Sequence, residues 1–146
     1  MDCGGAALSA GFVADASVGF AWVHPGQATP ETDRLLQEVA AGAPVAVPSL
    51  WFLEMANVTL MAERRRRLTA AQRKTALEQL AALQFTVDEE AARMAFVKIS
   101  QLAIKHGLTI YDATYLELAL RRKMALATRD KALRKAGLSC GLAVVG

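Results

Sequence analysis

Three very short apolar runs, Phe12-Val13-Ala14, Val45-Ala46-Val47 and Ala125-Leu126-Ala127, most constrain how this chain can fold. None alternates polar with apolar residues, so each is apolar on both faces and needs cover on both, as strands of a parallel sheet do. Phe85-Thr86-Val87 is a third strand candidate in chain order, and Leu142 to Val145 a final one. The stretches between them carry helical periodicity. Thr32 to Ala41 places Leu35, Leu36 and Val39 at helical spacing and stops at Gly42, after a turn signal at His24-Pro25-Gly26. Ser49 to about Arg66 carries Trp51, Met55, Val58 and Ala62 on one face. Thr69 is placed to cap a helix with Leu77, Leu80 and Ala81 as its apolar stripe. Asp88 is placed to cap a long helix with Ala92, Phe96, Ile99 and Ala103 on one side, closed by Gly107 at C′. Further helices are expected from near Tyr111 to about Lys123 and from Asp130 to Ala136. Short buried strands alternating with helices specify an α/β fold of three layers, a central, mostly parallel sheet of four to five strands flanked by helices.

Residues 12–146 read as one domain; residues 1–11, small and Gly/Ala-rich, read as an N-terminal extension. Hydrophobic residues make up 53% of the 146, yet no run approaches the roughly 20 apolar residues of a membrane span. The first residues lack the basic and apolar regions of a signal peptide, so the cytoplasm is the expected location. Cys3 and Cys140 lack metal-ligand spacing and are expected to be free thiols. No GxGxxG, P-loop, HExxH or Cys/His zinc pattern is present, which argues against dinucleotide and zinc chemistry.

Net charge is only +3, but the cations cluster: Arg64 to Arg67; Arg121, Arg122 and Lys123; Arg129, Lys131, Arg134 and Lys135. Such clusters suit a phosphate backbone, though the plainer reading of any one taken alone is a solvated helix end.

Four acids carry the chemistry. Asp15 lies at the carboxyl end of the first strand and Asp130 just past the fourth, the edge where open parallel sheets bind ligands. Glu54 and Asp112 sit early in helices, among Leu50, Trp51, Val58 and Met61 in one case and Tyr115, Leu116 and Ala119 in the other. Both therefore belong to faces expected to be buried, where an unpaired carboxylate is costly and several together repel. A divalent cation resolves both problems, and hard oxygen ligands select Mg²⁺ or Mn²⁺. Each acid also has a plain structural reading. Asp15 and Asp130 stand where N-caps stand, Glu54 can pair with an arginine, and Asp112 suits a helix first turn. His24 reads as a solvated turn residue, His106 as a helix C-terminal cation and Trp51 as core or interface. Asp88, Glu89 and Glu90 read as a cap and first turn, and Glu117 with Arg121 as a surface pair.

Val13-Ala14-Asp15-Ala16-Ser17 followed by Trp22 resembles the opening of a PIN domain, in particular the VapC-type toxins of bacterial toxin–antitoxin pairs. Val47-Pro48-Ser49-Leu50-Trp51 leading to Glu54, Ala56 and Asn57 is similar to their second block. Gly107 to Ala113 with Tyr115 to Ala119 resembles the third, and Leu126-Ala127-Thr128-Arg129-Asp130 the fourth. The four blocks run in order from about Phe12 onward; the N-terminal extension and Gly-rich C-terminus depart from the pattern.

The resemblance implies a PIN-like fold and an endoribonuclease whose metal ligands are Asp15, Glu54, Asp112 and Asp130, supported by the hydroxyls of Ser17 and Thr128. It also implies an antitoxin of VapB type, which lays a helix into an apolar groove, and a homodimer, with exposed apolar surface near Trp51. The basic clusters would then hold RNA. Two other readings stand beside it: an antitoxin-bound, DNA-binding subunit with its nuclease idle, and a small metal-dependent phosphohydrolase.

Overall fold

The computed structural model describes residues 11–146. Cys3 and the expected extension up to residue 10 lie outside the described residues. Central strand β1 (Phe12–Ala14) lies between β2 (Val45–Pro48) and β4 (Ala125–Ala127), with β3 (Thr86–Asp88) and β5 (Val144–Val145) at the edges. The order is β3-β2-β1-β4-β5 and every pairing is parallel. Phe12 stands opposite Val45 and Ala125, and Val13 opposite Ala46 and Leu126. All residues of β1, β2 and β4 are buried, as two-sided apolar runs require. Each Val or Leu there contributes about 1.5–3 kcal/mol by leaving water. Because the strands run one way, their carboxyl ends share one edge, and Asp15, Ser49 and Thr128 follow directly from three of them.

Helices α1 (Ala16–Val23), α2 (Pro30–Ala40), α3 (Leu50–Arg64) and α4 (Ala70–Ala81) follow in chain order. A 3₁₀ turn (Pro25–Gln27) joins α1 to α2. Helix α2 starts two residues before the expected Thr32. Thr29 is the cap, and the Thr32 side chain returns the bond to the Thr29 N–H in a capping box with Pro30 at the first position. Thr69 caps α4 as expected, with Gln72 completing its box. Helices α1 and α3 pack closely at Gly19, where a Cβ would come within 2.9 Å of the Trp51 ring and 3.0 Å of the Met55 sulfur. Trp51 is core, only 1% exposed.

Beyond β3 the expected single helix is three pieces: α5 (Ala91–Met94), a π-helical turn (Ala95–Ile99) and α6 (Ser100–His106). The stripe Ala92, Phe96, Ile99, Ala103 does not form. Ile99 and Ala103 are buried, but Ala92 is exposed and Phe96 is 95% exposed. A π turn takes an extra residue, so the inward face passes from Met94 to Ile99, five positions on, and Phe96 turns outward. Ser100 Oγ donates to the Ala95 carbonyl at 2.6 Å within this turn. Gly107 closes α6 in the left-handed region, φ 65°, at the expected position. Then α7 (Ile110–Arg122), capped by Thr109, leads to β4, and α8 (Lys131–Ser139) to the two-residue β5, shorter than expected.

Strand β3 runs one residue later than expected. Asp88 therefore ends a strand, paired with Pro48, instead of capping a helix, and Glu90 takes the cap position of α5. No helix among the described residues is long and apolar enough to cross a membrane.

Candidate active site

Asp15 is carried past the end of β1 by one more ladder bond, its N–H donating to the Ala127 carbonyl at 2.9 Å. It occupies the N-cap position of α1, but its side chain does not cap. Instead Oδ2 accepts from Ser17 Oγ and from Thr128 Oγ1, both at 2.8 Å. The two hydroxyls also accept from consecutive backbone amides: Ser17 from the Arg129 N–H and Thr128 from the Asp130 N–H, both at 3.0 Å. The loop after β4 is thereby locked to the start of α1. Asp15 is 5% exposed, and this burial pushes its carboxyl above the usual aspartate range. The Thr128, Ser17 and Ala16 donors pull it partly back, and the charge of Asp130 pushes it up again.

Asp130 does cap α8, accepting from the Leu133 N–H at 2.8 Å. Its structural reading holds. Glu54, half-buried on α3, finds no arginine. Tyr115 of α7 donates to its Oε1 at 2.5 Å. Burial raises the Glu54 pKa, the Tyr115 bond opposes that, and Asp15 and Asp112 raise it further. Asp112, in the first turn of α7, is raised by burial and then by the charges of Asp15 and Asp130. Burial and the carboxylate of Glu54 push the Tyr115 phenol far up, so it stays a donor.

The four acids, from four separate elements, thus feel one another's charge. Among the described residues they form no salt bridge, and no three His, Cys, Asp or Glu side chains form a group that could hold a metal ion as they stand. They are electrostatic neighbours rather than an assembled coordination shell. Beside them opens a cleft of about 580 Å³, lined by Ala16, Ser17, Phe20, Gln27, Glu54, Asn57, Val58, Arg129 and Asp130. Tyr115 was legible only as a same-face neighbour of Asp112. Phe20 and Gln27 carried no signal, because their role depends on a fold-level contact.

Two expectations fail at the far end of α7. Glu117 and Arg121 are not a surface pair: Glu117 is 1% exposed, and Arg121 bonds it at 2.7 Å while gripping Asp88 at 2.7 and 3.0 Å. Arg122 adds a bond to Asp88 at 3.1 Å. Two of the three cations in the second basic cluster are therefore committed to buried carboxylates, since β3 brings Asp88 against them. Burial alone would raise Asp88, but the Arg121 and Arg122 bonds hold it below the usual aspartate range. His24 and His106 do not line the cleft.

Residues 12–138 match the PIN domain family. No curated protein matches the chain. Among solved structures, the chain is similar to PAE2754 from Pyrobaculum aerophilum, with a TM-score of 0.67 and 21% identity over 91% of this chain and 81% of that one. It is similar to VapBC2 from Rickettsia felis bound to a DNA fragment from their promoter, with a TM-score of 0.63 and 11% identity over 91% and 96%. It is also similar to FitAcB from Neisseria gonorrhoeae, with a TM-score of 0.58 and 18% identity over 92% and 96%. At these identities the structures speak for the fold.

Proposed function

The chain belongs to the PIN-domain family, and from that membership and its acidic cleft we propose that it is a divalent-metal-dependent endoribonuclease, the toxin of a VapBC-type pair. The observation that carries this is the convergence of Asp15, Glu54, Asp112 and Asp130 without a cationic side chain bonded to any of them. The donor set fits a hard cation: all oxygen, partly desolvated, and mutually repelling without countercharge. Asp15, Asp112, Asp130 and Glu54 would hold Mg²⁺ or Mn²⁺, which when bound supplies countercharge and Lewis acidity toward water and phosphate.

The protein's own groups do the rest. Ser17 and Thr128 fix the Asp15 carboxylate through Oδ2, and Tyr115 fixes Glu54 through Oε1. Asp130 is held by the start of α8. Three of the four acids are thereby pointed without a rotamer search, which lowers the cost of positioning a phosphodiester. No histidine base is required by this arrangement. The exposed Arg64 to Arg67 turn remains free to follow an RNA backbone.

The fold likeness to VapBC2 supports an antitoxin partner. A groove of about 470 Å³ beside α1 and α4, bordered by Trp22, Val23, Leu68 and Ala76, is the candidate seat for its helix. Phe52 and Leu53, exposed beside Trp51, and Val87 support a homodimer. The expected setting is the cytoplasm.

Incubating purified protein with labelled RNA and Mg²⁺ or Mn²⁺ tests the reading. Cleavage is expected, abolished by EDTA and by Asp112→Asn in a variant that stays folded. Full activity in Asp112→Asn refutes the assignment. Turnover of nucleotides or phosphate esters in place of RNA favours the phosphohydrolase. Promoter binding with antitoxin but no cleavage favours the DNA-binding subunit.

A further inference from the structure

Among the residues lining the acidic cleft, Arg129 is the only lysine or arginine. It sits between Thr128 and Asp130, and its backbone N–H is fixed by Ser17, the same hydroxyl that holds Asp15. Its exposed side chain reaches Gln27, where Nη1 donates to the carbonyl at 2.7 Å and meets Oε1 at 3.3 Å. Gln27 ends the 3₁₀ turn after α1, so the arginine is anchored at its root by the first turn of α1 and at its tip by the 3₁₀ turn. Neither Glu54 nor Asp130, which line the same cleft, forms an ion pair with it. Its Nε and Nη2 make no hydrogen bond among the described residues. A guanidinium held in place, with its charge unpaired and two donors open, is suited to an oxyanion, and its planar fork matches a phosphate.

We propose that Arg129 grips the RNA backbone in the cleft, binding a phosphodiester next to the acidic quartet with a guanidinium that Gln27 orients. The assignment rests on the nuclease reading of the same site and names a substrate contact within it. Gln27 is then a positioning residue: it touches Arg129 and leaves the chemistry to the acids. The cation and the acids divide the work, Arg129 holding backbone charge that the carboxylates would otherwise repel.

The test uses a short 5′-labelled single-stranded RNA of mixed sequence. Binding is read by fluorescence anisotropy over a KCl series in Asp112→Asn protein, and cleavage in the otherwise wild-type protein with Mn²⁺. Arg129→Gln is expected to weaken binding about tenfold and to reduce the slope of log K against log salt by about 0.7, the loss of one phosphate contact on a single strand. It should raise KM more than it lowers kcat. Arg129→Lys should keep the slope, because the charge remains, but lose several-fold in affinity with the fork. Gln27→Ala should raise KM with the slope unchanged. If wild-type protein cleaves the RNA while Arg129→Gln matches it in affinity, slope and KM, the Arg129 assignment falls and the nuclease stands. If wild-type protein neither binds nor cleaves RNA, both fall.

Discussion

The Tyr115 hydroxyl and Oε1 of Glu54 meet at 2.5 Å across 61 positions of sequence, so α7 supplies both one of the four mutually repelling acids, Asp112, and the donor that orients another. Glu54 owes its orientation to a residue whose own burial keeps it protonated. Removing the hydroxyl isolates that contribution from the packing of the ring.

Tyr115→Phe is expected to cost about 1–3 kcal/mol of stability, the penalty for leaving a half-buried acceptor without its donor. It also removes the bond that opposes the rise in the Glu54 pKa, so the carboxylate is harder to ionise. The Mn²⁺ concentration giving half-maximal cleavage should rise several-fold, with kcat at saturating Mn²⁺ changed less. A metal titration of cleavage reads this directly; an unmoved midpoint means that Tyr115 serves packing alone.

Asp15, Glu54 and Asp112 have folded pKa values raised by burial first and then by neighbouring acids: Asp130 for Asp15, Asp15 and Asp112 for Glu54, and Asp15 and Asp130 for Asp112. Between the ordinary carboxylate range and those raised values the folded state binds more protons than the unfolded chain. Stability of the metal-free protein is therefore fully present below about pH 4 as far as these groups are concerned, and is lost as pH rises through the raised values. Mg²⁺ or Mn²⁺ should raise the Tm at neutral pH, and EDTA should reverse it. Asp15→Asn should stabilise the metal-free protein at neutral pH and shrink the metal increment. An equal increment in Asp15→Asn and wild type would show that the cation binds elsewhere.

The Asp88 network has the opposite sign. Its pKa is lowered, so its contribution is present above the unfolded value of about 3.9 and is lost as pH falls through the folded one. Asp88→Asn is expected to cost about 3 kcal/mol in urea denaturation, since it leaves Arg121 without a main partner. Arg121→Ala should cost more than Arg122→Ala, because it leaves the buried Glu117 without a partner and takes two of the three arginine bonds from Asp88. Cleavage rates well below the Tm should be unchanged in all three, as this network lies outside the cleft.

The π turn gives a contrast between neighbouring apolar residues. Phe96→Ser should leave the stability of the protomer within about 0.5 kcal/mol, whereas Ile99→Ala should cost about 2–5 kcal/mol. Chemical denaturation of the two variants separates the observed register from an unbroken helix, in which Phe96 would be the costlier loss.

The strands β1, β2 and β4 were legible because runs apolar on both faces have few other places to lie. The quartet was legible because Glu54 and Asp112 interrupt apolar helix faces and Asp15 and Asp130 follow strands. What stayed hidden depends on pairing that spacing does not encode. A one-residue shift of β3 turned Asp88 from a cap into a buried anion, and Asp88 in turn withdrew Arg121 and Arg122 from the free basic surface. The π turn moved Phe96 off the core through one extra residue in a turn, a change the 3.6-residue period cannot report. The Arg129–Gln27 contact spans 102 positions and leaves no local trace.

Thr128 steadies Asp15 from 113 positions away, and the same loop supplies Asp130. During synthesis from the N-terminus, β1 and its acid emerge long before the strand that finishes their surroundings. A half-made chain on the ribosome therefore lacks the loop that holds Asp15, and the setting of that acid is complete only when β4 slots in beside β1.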